Sequence, residues 1–229
     1  MRQFVTKAII LGRTDYREAD RILTLLTPDY GKLCLIAKGV RRVKSKLAGG
    51  IELFSVSEIT FIKGRGEVGT LVSTRLIKHY ERIVGDLERT MLGYELIKKL
   101  HKVTEDETEQ EYFELLRDAF DALNDKTISL QIIHFWFASQ LLRLSGHTPN
   151  LRTDEKGEKL AASGVYEFGS DTMSFRSSPD HGHFGADHIK FLRLAFAGNN
   201  AVVLAHVQGS ERLVAETQPL VQHLNQLAY

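Results

Sequence analysis

Arg21-Ile22-Leu23-Thr24-Leu25-Leu26-Thr27-Pro28-Asp29-Tyr30-Gly31-Lys32-Leu33-Cys34-Leu35-Ile36-Ala37 reads as strand, turn and strand. Two apolar runs, 21–26 and 32–37, flank a turn in which Pro28 pre-sets one dihedral and Gly31 closes the reversal. Working outward, residues 4–11 form a strand-like apolar run, followed by a charged, turn-rich 12–20. Residues 51–63 are β-branched and aromatic, with Phe54, Val56, Ile59, Phe61 and Ile62. A tight basic turn, Gly64-Arg65-Gly66, leads into 68–80, where Leu71, Val72, Leu76 and Ile77 mark another strand. Five strands within about eighty residues and no long helix among them predict a small barrel. A five-stranded OB-type barrel is the economical choice, and periodicity alone leaves an SH3-like barrel open.

Between the third and fourth strands, Lys38-Gly39-Val40-Arg41-Arg42-Val43-Lys44-Ser45-Lys46 packs five cations into nine residues. Five desolvated charges without partners cost more than a fold can supply, so this loop must face solvent or a polyanion. Residues 1–85 hold 16 Lys+Arg against 8 Asp+Glu, and residues 86–229 hold 14 against 21. The overall charge of +1 thus hides a basic front and an acidic back. That asymmetry points to a polyanion-binding module joined to something else.

With 229 residues, 43% of them hydrophobic, the chain can bury one large core or two to three small ones. No run is apolar enough for a membrane helix; residues 128–144 come nearest but include Gln131, His134, Gln140 and Arg143. The N-terminus lacks the pattern of a signal peptide. Cys34 is the only cysteine, which excludes a disulfide framework and fits a reducing compartment; its expected role is that of a buried small hydrophobe. The expected location is the cytoplasm.

From about residue 83 the apolar period changes from 2 to 3.6. Ile83, Leu87, Met91, Tyr94 and Leu100 mark a first helix. Thr108 with Glu111 reads as a capping box for a second, whose apolar face is Tyr112, Leu115, Leu116, Ala119, Phe120 and Leu123. A third, 128–144, is apolar nearly all round; its Phe135, Trp136 and Phe137 are expected in a bundle core. Residues 146–184 are rich in Gly, Ser and charge, with a small hairpin (164–168 and 173–176). A helix resumes near Ala186 and stops before Gly198-Asn199-Asn200. A last helical segment, 210–228, is interrupted at Pro219, which restarts or kinks it.

The chain carries no phosphate-binding loop, nucleophile elbow or His-Glu-x-x-His pair. Asp180, His181, His183, Asp187 and His188, with His147, have the atoms to bind a metal, but nothing in their spacing fixes a geometry. A metal-dependent hydrolase would need His181, His183 and His188 as a site, and no general base can be named for it.

The run from Thr14-Asp15-Tyr16-Arg17-Glu18-Ala19-Asp20 through Arg21–Pro28, then Gly31-Lys32-Leu33, Ala37-Lys38-Gly39-Val40-Arg41-Arg42 and Lys44-Ser45-Lys46-Leu47-Ala48-Gly49, resembles the bacterial RecO family of recombination mediators. Gly64-Arg65-Gly66-Glu67 fits the same pattern, so the likeness is dense over residues 8–80. Farther on, only Gly146 and Pro149-Asn150-Leu151 are distinctive. The resemblance implies an α+β chain: an OB-type barrel over 1–80, a helical bundle over 81–145, a small module over 146–184, and C-terminal helices over 185–229 completing the bundle. In many members that module holds zinc through four cysteines. Here Arg152-Thr153-Asp154-Glu155-Lys156-Gly157 and 174–178 stand where the two cysteine pairs would fall, so the fold is kept and the zinc dropped.

The resemblance further implies a DNA repair and recombination protein that is not an enzyme, has no catalytic residue and needs no cofactor. Such proteins bind single- and double-stranded DNA, anneal complementary strands, and act with RecR. They help load RecA onto strands coated by single-strand-binding protein, in the bacterial cytoplasm and its nucleoid. The expected DNA contacts are Lys38, Arg41, Arg42, Lys44, Lys46, Lys63 and Arg65, with Arg13, Arg17 and Arg21 on the same face. An RNA-binding OB module of translation or RNA metabolism shares the basic barrel, but leaves the helices and the hairpin without a task.

Overall fold

The computed structural model describes residues 2–64, 66–104 and 109–229. Its first five strands are β1 (Gln3–Tyr16), β2 (Asp20–Thr27), β3 (Gly31–Ala37), β4 (Ser55–Ile62) and β5 (Val68–His79). They pair in the order β1-β2-β3-β5-β4 and close back onto β1, with β3 and β5 parallel and every other pair antiparallel. This is an OB-type barrel, as expected, and not an SH3-like one. Alternation along the strands turns Ala8, Ile10, Leu23, Leu25, Leu35, Ile59, Phe61 and Leu71 into one apolar core. Each Leu or Ile buried this way contributes roughly 1.5–3 kcal/mol, most of it offset by chain entropy.

The first strand is longer than its apolar run. It bends at a β-bulge between Ile10 and Gly12 and stays paired with β2 as far as Tyr16 opposite Asp20. Charged residues continue the strand because their side chains find partners: Arg13 bonds Glu52 of the β3–β4 connection, and Arg21 bonds Asp15 across the β1–β2 pair. Residues 51–54, read as strand, do another job. The chain between β3 and β4 contains a short 3-10 turn (Ala48–Gly50), and it drops Val40, Ile51, Leu47, Ala48 and Leu53 onto the end of the barrel core. The basic loop is therefore the outer side of an apolar plug. Cys34, expected to be buried, is only partly so.

The chain divides into two compact units, residues 1–125 and 126–229. The first includes three helices, α1 (Glu81–Val84), α2 (Leu87–Val103) and α3 (Gln110–Asn124). The division falls inside the span 81–145. Where one helix was expected from Ile83 to Leu100 there are two, and of the predicted face Ile83 and Leu100 are buried while the three residues between them are not. Arg89, Leu92, Gly93, Leu96, Ile97 and Leu100 face inward, whereas Leu87, Met91 and Tyr94 are exposed. Two physical causes set this face. Asp86 caps α2 by accepting from Arg89 N at 3.1 Å, and the Arg89 guanidinium donates to Leu123 O at 2.7 Å and Asp125 O at 3.1 Å, satisfying carbonyls at the end of α3. Phe54 then sits where Gly93 has no side chain. Thr108 of the predicted capping box lies outside the described residues; α3 begins after Glu109.

The second unit is built on α4 (Leu130–Leu144), whose Phe135, Trp136 and Phe137 are 2% exposed or less, as a central helix requires. Ser129 caps it, and Trp136 Nε1 donates to Asn199 O at 2.6 Å. A three-stranded sheet follows: β6 (Asn150–Asp154), β7 (Tyr166–Gly169) and β8 (Ser174–Ser177), in the order β6-β8-β7. The expected hairpin is β7–β8, and β6, parallel to β8, was not anticipated. The helices α5 (Ala186–Ala195), α6 (Ala201–Ala205) and α7 (Ser210–Ala228) complete the unit. Pro219 does not interrupt α7. Pro219 and Ala215 are both exposed, so the carbonyl that the proline leaves without a donor faces solvent, where the loss costs least.

Candidate nucleic-acid interface

Of the ten cations named from the sequence, the nine among the described residues divide into three groups. Arg13, Arg21 and Arg41 are already engaged. Arg13 meets Glu52 Oε2 at 2.9 Å, Arg21 Nε meets Asp15 Oδ1 at 2.8 Å, and Arg41 Nε stands 3.5 Å from Asp15 Oδ2. The hydrogen bond from Arg21, helped by the charges of Arg41 and Arg13, holds the Asp15 carboxyl below its ordinary value. Arg41 also anchors the loop. Its backbone N donates to Ala19 O at 3.0 Å, and its guanidinium to Glu18 O at 3.3 Å. Gly39 N adds a bond to Asp20 Oδ1 at 2.7 Å. The β1–β2 turn and the start of the basic loop are thus clamped together.

Lys38, Arg42, Lys44 and Lys46 form the second group: all are exposed, and none has an ion pair among the described residues. The plug beneath them fixes the backbone, so the four charges stand on an ordered arch instead of a free coil. Arg17, at the β1–β2 turn with φ +51°, belongs beside them, its guanidinium 5.1 Å from the Tyr16 ring. Lys63 makes the third group. Its ammonium lies 5.6 Å from the Phe4 ring and 5.3 Å from the Tyr30 ring, with Arg2 also over Phe4. Tyr30 follows the Thr27 end of β2, whereas Arg41 sits at the Asp20 end, so this group lies the length of β2 away, roughly 25 Å of extended chain. Arg65 lies outside the described residues.

Strand alternation gives the surface between these ends its character. Leu23 and Leu25 point into the barrel, as do Arg13 and Asp15 on the same side at its mouth. The opposite, outer side carries Thr14, Ile22 and Ile36 in one row, Thr24 and Cys34 in the next, and Tyr16 at the tip. In OB-type barrels the β2–β3 face and the turns at its ends commonly receive oligonucleotides. Charge counting found the cations; it passed over Arg2 and Tyr16, whose places depend on register.

The zinc position tests differently. No thiolate stands on β6, β7 or β8, and among the described residues no three His, Cys, Asp or Glu side chains gather as metal ligands. His188 instead closes the start of α5: its Nδ1 accepts from Gly185 N at 3.0 Å and its Nε2 meets Glu216 at 2.8 Å. His183 lines a separate small pocket with His223. The turn after β6 is tied by Asp154 Oδ1, which accepts from Lys156 N and Glu158 N, both at 2.9 Å. Phe175, fully buried, packs edge-on against Tyr166, Phe168 and Phe184. Rings occupy the core of this module, so the residues present do not fit a zinc site. Thermal melting should be unchanged by a chelator, whereas Phe175→Ala should cost about 3–5 kcal/mol. A melting point that falls on chelation would point to a resident metal.

The family model described as Recombination protein O N terminal matches residues 1–80. A DNA repair protein RecO of Dehalococcoides mccartyi is 35% identical over 150 residues, 65% of this chain and 58% of that protein. One of Rhodopirellula baltica is 33% identical over 144 residues, 62% of this chain and 53% of that protein. One of Listeria welshimeri is 27% identical over 201 residues, 83% of this chain and 76% of that protein. The chain spans less than two thirds of the length of the first relatives it matches. No helix among the described residues is long and apolar enough to cross a membrane. Residues 1–80 match the family model of the recombination protein O N terminus, and the relatives named here are DNA repair proteins RecO, which bears out the resemblance to RecO read from the sequence.

Proposed function

We propose that this protein is a DNA repair and recombination mediator that binds single- and double-stranded DNA and anneals complementary strands. The observation that carries this reading is the clamped arch of Lys38, Arg42, Lys44 and Lys46 beside the β2–β3 face of the barrel. Annealing makes and breaks no covalent bond. It asks for cations that lower the repulsion between two polyanions while their bases stay free, and each neutralised phosphate also releases counterions. On this reading the protein is not an enzyme, and it works in the bacterial cytoplasm, at the nucleoid.

Protein partners belong to the remainder of the chain. RecR, single-strand-binding protein and, indirectly, RecA are the partners this reading names. In the second unit, a pocket of about 890 Å³ is lined by Pro149, Leu151, Leu160 and Phe196, with Arg152 and Lys159 among its polar residues. Arg193, also lining it, is fixed by a 2.8 Å bond to Leu151 O. An apolar floor with cationic anchors suits a partner segment of apolar and acidic residues.

The test is strand annealing by the full chain, with naked oligonucleotides and with strands precoated by single-strand-binding protein. Faster pairing in both cases, and retention of RecR, are expected. No acceleration and no RecR binding would sink the mediator reading. Tight binding to RNA without annealing would favour an RNA-binding barrel instead.

A further inference from the structure

The chain has seven tyrosines, and the fold employs six. Tyr30 packs on Phe4 and Phe61, Tyr94 on Phe54, and Tyr80 and Tyr166 are buried. Tyr229 bonds Ser145, and Tyr112 also has partners. Tyr16 is the exception. Among the described residues its ring stacks on no other ring and its hydroxyl has no hydrogen-bond partner, and it lies outside the barrel core. The ring is partly buried, and the Arg17 guanidinium lies 5.1 Å from its centre. Arg17 holds this place in a left-handed backbone conformation, φ +51°, which a side chain of its size adopts at a cost. The bonds from Arg41 to Glu18 O and Ala19 O keep the turn in position.

The surroundings are apolar and cationic apart from Asp20, the residue opposite Tyr16 on β2, whose carboxylate is taken up by Gly39 N at 2.7 Å. Tyr16 shares the outer face with Ile22 and Ile36, both only partly buried. Lys38 is the residue after Ala37, whose partner on β2 is Arg21, so the arch begins at the level of Tyr16 and Asp20. A ring without a structural partner, an apolar floor and flanking cations make a place for a flat apolar group attached to a phosphodiester. Duplex DNA keeps its bases stacked inside and offers only phosphates to such a site. An unpaired strand offers both.

We propose that Tyr16, with Arg17, is a stacking site for one unpaired nucleobase of single-stranded DNA, so that the barrel separates single strands from duplex at this position. The inference rests on the DNA-binding reading above and adds its base contact. Stacking on an aromatic side chain tolerates every base, which suits a protein that must handle strands of any sequence.

The full-length protein should be titrated by fluorescence anisotropy with labelled oligo(dT), with a blunt duplex and with an RNA strand. Tyr16→Ala is expected to weaken oligo(dT) binding about five- to 150-fold, the alanine cost of one base stack, and to change duplex binding less than about twofold. Tyr16→Phe should restore single-strand affinity, because the ring and not the hydroxyl does the stacking. A strand carrying 5-iodouracil should crosslink to Tyr16 in the unmodified protein, a readout that survives even if the alanine variant folds poorly. Equal losses on strand and duplex, no loss at all, or crosslinks confined to other residues would overturn the stacking site while leaving DNA binding intact. Wild-type protein that binds neither strand nor duplex would overturn the DNA-binding reading itself. A Tyr16 effect on RNA alone would reassign the site to RNA.

Discussion

Replacing Lys38, Arg42, Lys44 and Lys46 together by alanine is expected to flatten the salt dependence of single-strand binding by about three units of log–log slope, at about 0.7 per phosphate contact. Extrapolated from 1 M, where counterion release vanishes, four lost contacts amount to a several-hundred-fold loss of affinity at about 0.1 M salt. The loss should be similar for different sequences, because phosphates carry no base identity. Thermal stability should scarcely move, since exposed unpaired charges contribute little to it. The control is Arg13→Ala with Arg21→Ala. Their guanidinium groups are held by Glu52 and Asp15, so the slope should change by less than one unit. Anisotropy titrations over a range of salt decide the matter: equal slopes for the quadruple variant and wild type would remove the arch from the DNA path.

The barrel was legible because its strands alternate or run apolar over short spans broken by Pro28, Gly31 and Gly64. The extension of β1 was not legible, since Arg13 and Asp15 look like turn residues until their cross-strand partners are known. The same blindness affected the site. A run of cations is visible in sequence, but its division into paired and unpaired members depends on Asp15 and Glu52, which come close only after folding. The face of α2 failed for a related reason. A hydrophobic pattern selects Leu87, Met91 and Tyr94, whereas packing selected Gly93 for its missing side chain and Arg89 for the carbonyls it serves. In the second unit, Phe135 to Phe137 announced a core helix, and the structure agrees. The short strand β6 carries too little apolar pattern to be seen before its partner β8 is placed.

Phe54→Ala is expected to be among the most damaging single changes in the first unit, costing about 3–5 kcal/mol of a total stability on the order of 5–15 kcal/mol. The residue is 2% exposed and ends the plug that carries the arch. Its ring packs edge-on against Tyr94 and Phe120, at 5.2 and 5.5 Å between centres, and fills the notch at Gly93, where a Cβ would come within 2.5 Å of it. Its carbonyl accepts from Tyr80 N at 3.0 Å, tying the plug to the start of the helices. The wedge is made in a left-handed conformation, φ +54°, and this gives the prediction a second, less ordinary sign. Alanine loses the ring and keeps the conformational strain, whereas glycine loses the ring and sheds the strain, worth roughly 1–2 kcal/mol. Glycine's larger unfolded-state entropy returns about 0.4–1 kcal/mol of that. Phe54→Gly should therefore unfold in urea no earlier than Phe54→Ala, the reverse of the usual order at a buried position. Both variants keep all four free cations, so their DNA affinity should fall through a loosened arch while the salt slope stays near that of wild type. An alanine variant within about 1 kcal/mol of wild type would mean that Val40 and Ile51 hold the plug unaided, a smaller cost than a cavity of this size otherwise imposes.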